Sequence, residues 1–262
     1  MLRFEVVTLF PELVRTATAA GVLGRAIERG LVAVGTEDPR AYAPDAHRTV
    51  DDRPYGGGPG MVLKPEPFAQ AIEAAGRRLP AGTRRIALSA QGRPLLQQEV
   101  RRMAGEPGLL LVAGRYEGFD ERLIEQEIDE ELSIGDYVLS GGEFAALVVI
   151  DAVTRLVSGV LGDEQSAEQD SFAAGLLDWP HYTRPECWRG STVPEVLQSG
   201  DHARIRRWRL QQALGRTWRR RPELLAARGL GADERQLLEE YCAREGLCPP
   251  GDVGSVQAGN EP

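Results

Sequence analysis

The chain has 262 residues, 42% of them hydrophobic, which suits one large or two modest domains with a real core. No apolar stretch is long enough to span a bilayer, and the start MLRFEVVTLFPEL carries two acids and lacks the cleavage site of a secretory signal. A net charge of −8 argues against a general nucleic-acid binder, and three scattered cysteines without metal-ligand spacing fit a reducing cytoplasm.

Taken in order, Phe4–Phe10 is a β-rich run ended by Pro11, a residue suited to the first turn of a helix. Leu13–Ala20 and Gly24–Arg29 read as helix, and Leu31–Val34 as a short strand. From Asp38 to Gly60 the chain is rich in Pro, Gly and Asp, and loops of that length are either functional or disordered. Its end, RPYGGGPG at Arg53–Gly60, is either a structural turn or backbone that presses on a ligand. Phe68–Arg78 is expected to be helix. Arg85–Ser89 is expected to be a strand closed by the turn Ala90–Pro94, followed by a helix at Leu95–Met103 and a strand at Leu109–Ala113. Phe119–Ile128 reads as a charged helix, Ile134–Leu139 as strand-like around Gly135, and Phe144–Val157 as a buried helix. Strands alternating with helices imply an α/β fold, a parallel sheet with helices on both faces.

Three strand ends carry turns at Ser89–Gly92, Gly114–Gly118 and Ser133–Gly142, where parallel sheets hold ligands. The last two read neither G-x-G-x-x-G nor GK[ST], so they are poor dinucleotide or Walker sites. Backbone groups from neighbouring loops suit a flat, uncharged heterocycle better than a triphosphate. After Val160 the texture changes. Residues 161–175 are small, polar and acidic, and read as a mobile linker between a first domain at 1–160 and a small helical C-terminal domain at 176–248. Helices are expected there at His202–Leu214, Pro222–Arg228 and Asp233–Glu245, and 249–262 reads as a disordered tail. Charge is uneven: Glu117–Glu143 holds ten acids and one arginine, Asp201–Arg221 eight arginines and one acid. The basic segment either offers Arg204, Arg206, Arg207 and Arg209 to a polyanion or is a solvated helical face, with Ile205 and Trp208 packing inward.

GRYEGFDER (Gly114–Arg122), IDEELSIGDYVLSGGE (Ile128–Glu143) and VDDRPYGGGPGMVL (Val50–Leu63) resemble the bacterial tRNA (guanine-N1)-methyltransferases of the knotted SPOUT group. The resemblance runs from Phe4 to about Leu225. It implies a trefoil knot at the strand-end turns, S-adenosylmethionine as methyl donor, and the guanosine just 3′ of the anticodon in tRNA as target. It also implies a homodimer with sites shared between chains and a dependence on Mg2+, for which no oxygen-ligand loop is legible.

Carried over residue by residue, the resemblance sets the donor against Gly114, Gly118, Ser133, Ile134, Gly135, Leu139, Gly141 and Gly142, while Tyr116 and Tyr137 would either close on that ligand or simply pack. Leu88, Ser89, Gln91 and Gly92 form a third loop, in which Ala90 stands where proline is usual. Glu117 would pair with the donor's amino group or help hold a metal; on residues alone it is equally a solvated loop acid. Methylating N1 of guanine requires removal of its proton and stabilisation of the charge that builds on O6. The resemblance gives the first task to Asp170 and the second to Arg155. By residues alone Asp170 is a solvated linker acid or a helix cap, and Arg155 an i, i+4 partner of Asp151. Gly60 falls in the family's substrate-side loop. Asp178, His181 and Tyr182 would line the substrate pocket, with the arginines contacting the anticodon arm. Two other readings stay open. A related knotted enzyme acting on ribose 2′-hydroxyls is disfavoured by the linker carboxylate and the basic helical domain. A non-catalytic RNA-binding module has no use for the glycine turns or for Asp170.

Overall fold

The computed structural model describes residues 1–162 and 169–247. The part of the expected linker at 163–168 and the expected tail at 249–262 lie outside the described residues. The chain divides into two units, Met1–Glu164 and Gln165–Pro262.

The first unit alternates strands and helices. β1 (Leu2–Val7) leads to α1 (Pro11–Thr18), which Pro11 opens at its first turn, then to α2 (Gly21–Glu28) and β2 (Val32–Glu37). The long Pro/Gly segment contains a short 3-10 turn, Pro39–Tyr42, and a small hairpin-like pair of β3 (Asp51–Asp52) and β4 (Val62–Leu63). α3 (Pro65–Gly76), β5 (Arg84–Pro94), α4 (Gln97–Ala104), β6 (Gly108–Ala113), α5 (Glu121–Glu127), β7 (Glu130–Ser133) and α6 (Glu143–Thr154) follow. The main sheet has five parallel strands in the order β2-β1-β6-β5-β7.

Both faces of this sheet are covered, and strand periodicity shows why. Phe4, Val6, Leu109 and Leu111 point to one face and pack with α1, α2, α4 and α6 through Val14, Leu23, Met103 and Val149. Leu110 and Val112 point to the other, against Phe68 and Ile72 of α3 and Leu123 of α5. An acid inside this apolar sheet needs a partner: Glu5 is buried and held by Arg78 at 2.7 Å, which also reaches Glu37 at 2.6 Å.

Several boundaries differ from expectation. The last strand is Glu130–Ser133 rather than Ile134–Leu139, which is a loop. The acids of EELS obscure it, yet Glu130 is held by Arg93 at 2.8 Å and Arg102 at 2.9 Å, so its charge is compensated from other elements. The expected turn Ala90–Pro94 is a bulge within β5. Leu88 and Arg93 both pair with Leu132, and the residues between them loop out. α6 ends at Thr154, with Arg155 as its cap.

The second unit is mainly helical. α7 (His202–Arg220), α8 (Pro222–Arg228) and α9 (Ala232–Arg244) close on Leu214, Leu225, Leu238 and Tyr241. α7 is longer than expected and starts on Asp201, whose carboxylate accepts from the amides of Ala203 and Arg204. Ahead of α7, β8 (Cys187–Trp188) and β9 (Ser191–Thr192) form a short hairpin. Among the described residues no helix is long and apolar enough to cross a membrane.

Candidate active site

The carboxyl ends of β5, β6 and β7, adjacent in the sheet, converge on a cavity of about 290 Å³. Its wall contains every residue expected to hold the donor except Gly92, which stands behind it. The β5 bulge forms one side. A Cβ on Gly92 would sit 2.3 Å from the Leu132 amide nitrogen and 2.5 Å from the Glu131 carbonyl carbon, so only glycine lets the bulge lie against β7. The Ser89 hydroxyl accepts from the Gln91 amide at 3.1 Å and shapes the same bulge.

The second side is the turn after β6, closed by the Gly118 amide donating to the Arg115 carbonyl at 3.1 Å. Tyr116 takes a positive φ of 60° there, and its ring is exposed at the cavity rim. The third side is Ser133–Gly142. The Ser133 hydroxyl bonds the Gly135 backbone, and the Gly142 amide donates to the Gly114 carbonyl at 2.8 Å, joining the second and third loops. Tyr137, Val138 and Leu139 form an exposed apolar rim. The charged groups on the wall are Glu117, Glu121, Glu131 and Arg115, and the arginine is already paired with Glu143 at 3.1 Å.

The segment ending at Gly60 is fastened to this cavity. The Glu117 amide donates to the Met61 carbonyl at 3.0 Å, and the Leu63 amide to the Gly118 carbonyl at 2.9 Å. Gly60 has φ +84°, which favours glycine, and a Cβ there would meet the Glu117 carboxylate at 2.1 Å and push that side chain away. Tyr55, earlier in that segment, is fully exposed.

Asp170 belongs to the second unit and lines a separate pocket of about 300 Å³. Leu176, Leu177, Leu210 and Ala213 make its apolar floor; Asp178, Trp179, Arg206 and Arg209 bring aromatic and charged groups. The guanidinium of Arg209 lies 5.0 Å from the centre of the Trp179 ring, and its Nε is buried with no hydrogen-bond partner among the described residues. Asp178 binds His181 Nε2 at 2.8 Å, and its own amide donates to the Ser171 hydroxyl at 3.0 Å, tying the segment after Asp170 to that before the pocket.

Not every expected residue gathers here. His181 is exposed and meets the pocket's edge through Asp178 and the Trp179 ring, 5.6 Å away, while Tyr182 turns its ring to Trp208, 6.4 Å away. Arg204 is exposed outside the pocket, and Arg207 is paired with Glu240 at 2.8 Å. Arg155 lines neither cavity. It caps α6 twelve residues beyond Glu143, roughly 18 Å along the helix axis. Sequence reasoning passed over Arg115, although it lies inside GRYEG between two expected contacts, and Trp179, inside DWPHYTRP. Among the described residues no group of three or more His, Cys, Asp or Glu side chains gathers to hold a metal.

Comparison with known proteins gives the family of the chain. A family model described as tRNA (Guanine-1)-methyltransferase TrmD matches residues 2–227. A tRNA (guanine-N(1)-)-methyltransferase of Methylococcus capsulatus is 62% identical over 240 residues, covering 92% of this chain and 96% of that protein. Proteins of the same name from Halorhodospira halophila and Nitrosospira multiformis are each 59% identical, covering 92% and 91% of this chain and 91% and 96% of their own lengths. The chain belongs to the tRNA (guanine-N1)-methyltransferase family, enzymes of the SPOUT group.

Proposed function

We propose that this enzyme transfers a methyl group from S-adenosylmethionine to N1 of the guanosine 3′ of the anticodon in tRNA, working in the cytoplasm. The observation that carries this reading is the charge of the strand-end cavity. Three carboxylates face it, and its one arginine is neutralised by Glu143. Such a wall repels phosphate and suits a ligand carrying a sulfonium and an ammonium group. When bound, the donor supplies an electrophilic methyl group. Main-chain groups of the three loops hold its flat adenosyl part, and Glu117 pairs with its ammonium group.

The acceptor base is assigned to the Asp170 pocket. A guanine lies on the apolar floor beside Trp179, with Asp170 placed to take the N1 proton. The leucines of that floor keep bulk water away from the transfer. Arg206 and Arg209 hold the flanking phosphates. Arg155 balances the charge that builds on O6.

Both units serve one reaction, and we assign the completed site to two chains. Phe144, Val148, Asp151 and Arg155 form one exposed stripe along α6 at spacings of four, three and four. Two large apolar residues, Phe144 and Val148, exposed on a helix whose other faces are mostly covered call for cover. A second copy seated there meets Arg155 as well, so the arginine serves the partner's acceptor. The linker at 161–175 is assigned the span between the 1–160 and 176–248 domains, and the strand-end loops the family's trefoil knot. Among the described residues no cluster of carboxylates or imidazoles gathers for Mg2+, and no step is routed through it.

The test is methylation of a tRNA transcript with this guanosine intact or replaced by adenosine, followed by nucleoside analysis. 1-Methylguanosine from the first alone is expected. A 2′-O-methylated nucleoside, or equal labelling of both, overturns the reading.

A further inference from the structure

A charged pair lies under the donor cavity with no part in the chemistry above. Glu143 is the first residue of α6 and is completely buried. Its carboxylate accepts from the Thr8 hydroxyl at 3.0 Å and from Arg115 Nε at 3.2 Å, with Arg115 Nη2 at 3.1 Å. Thr8 in turn accepts from the Phe10 amide at 2.9 Å, and the Arg115 guanidinium lies 4.1 Å from the centre of the Phe10 ring. One carboxylate thus joins three chain segments: the end of β1, the turn after β6 and the start of α6.

Two of those segments are donor loops. Arg115 sits between Gly114 and Tyr116, and Glu143 follows Gly141 and Gly142, all four neighbours lining the cavity. The main chains also meet, through an antiparallel bridge of Arg115 to Gly141. Gly141 rides directly on the ion pair: a Cβ there would lie 2.4 Å from Glu143 Oε2 and 2.7 Å from Arg115 Nε. A buried ion pair is a poor way to gain stability, because desolvation offsets the attraction and apolar replacements are often as stable. It does fix geometry, since both partners have directional bonds that packing alone does not supply. The positive end of the α6 dipole favours the carboxylate where it stands.

We propose that Glu143 and Arg115 are a positioning pair that sets the spacing of the Gly114–Gly118 and Ser133–Gly142 loops for the methyl donor. This rests on the donor reading of the cavity. The pair touches no reacting atom; it acts by holding the two loops at the separation the adenosyl group needs, so that binding does not have to order them.

The experiment compares wild type, Glu143→Gln, Arg115→Met and the double variant. Thermal melting is measured beside calorimetric titration with S-adenosylmethionine, with KM and kcat for the donor. Each single variant is expected to bind the donor at least tenfold more weakly, with KM rising by more than kcat falls. The double variant leaves no unpaired buried charge, so its melting temperature returns towards wild type while its donor affinity stays at least tenfold weak. Wild-type affinity in the double variant, or in either folded single variant, overturns the proposal, because the pair would then support the fold alone. If wild type itself binds no donor, the reading of the cavity fails instead, a distinct result.

Discussion

The two cavities are built on opposite principles. The strand-end cavity takes its shape from three loops whose main chains are joined to one another, packed so closely that a Cβ at Gly92 collides with the backbone of β7. The Asp170 pocket is walled by side chains from α7 and the segment leading to Trp179. A wall of peptide groups tolerates changes of side chain but not of backbone spacing, while a wall of side chains tolerates the reverse. Donor binding should therefore fail at glycines, and proton transfer at functional groups.

Asp170→Asn is the sharpest way to separate them. It removes the proposed base and keeps the shape, so single-turnover methyl transfer should fall roughly 10²–10⁴-fold while donor affinity stays put. Near-normal turnover would remove Asp170 from the chemistry. Gly92→Ala attacks the other side. It should weaken donor binding about tenfold or more and lower stability by about 1–3 kcal/mol, since backbone must give way. Unchanged titration would show that the bulge can shift freely.

Smaller effects distinguish the arginines of α7. Arg206 lines the Asp170 pocket, so Arg206→Ala should reduce tRNA affinity and the slope of log K against log salt by about 1. Arg207 is bridged to Glu240 on α9, so Arg207→Ala should mainly cost about 0–1 kcal/mol of stability and change the slope less. Equal slopes would mean that the bridge opens for RNA.

On α4, Glu99 is held by Arg93 and then Arg102, which bring its carboxyl from the ordinary 4.5 down to about 2. Its folded-state value is depressed, so the stability it contributes is present above pH 4.5 and lost as pH falls towards 2. Glu99→Gln should lower the melting temperature by about 1–3 °C at neutral pH and flatten the acid transition between those limits. An acid transition as steep as that of wild type would remove Glu99 from it.

The same contrast explains what can be read from sequence. Glycine-bearing turns after apolar runs are local signals, so the three strand-end turns that line the first cavity are legible in the order of the residues alone. β7 is not, because acids at Glu130 and Glu131 hide a strand whose charge is balanced by Arg93 and Arg102 from elsewhere in the chain. Arg115 and Glu143 stand 28 residues apart, and nothing in either motif announces that they meet. The pocket around Asp170 depends on Trp179 and Arg209 coming together across a long stretch of chain, which periodicity cannot foresee.

The central claim is that the donor cradle and the proton-accepting carboxylate of one working site come from different chains. It is tested most directly by mixing Asp170→Asn with Gly92→Ala, under conditions that exchange subunits and at a donor concentration too low to occupy the altered cradle, where neither variant alone methylates. A mixed dimer then holds one site with an intact cradle from the first chain and an intact Asp170 from the second, so methylation of tRNA should return well above that of either variant alone. If every mixture stays as inactive as its components while subunit exchange is demonstrated, each chain completes its own site and the claim is wrong.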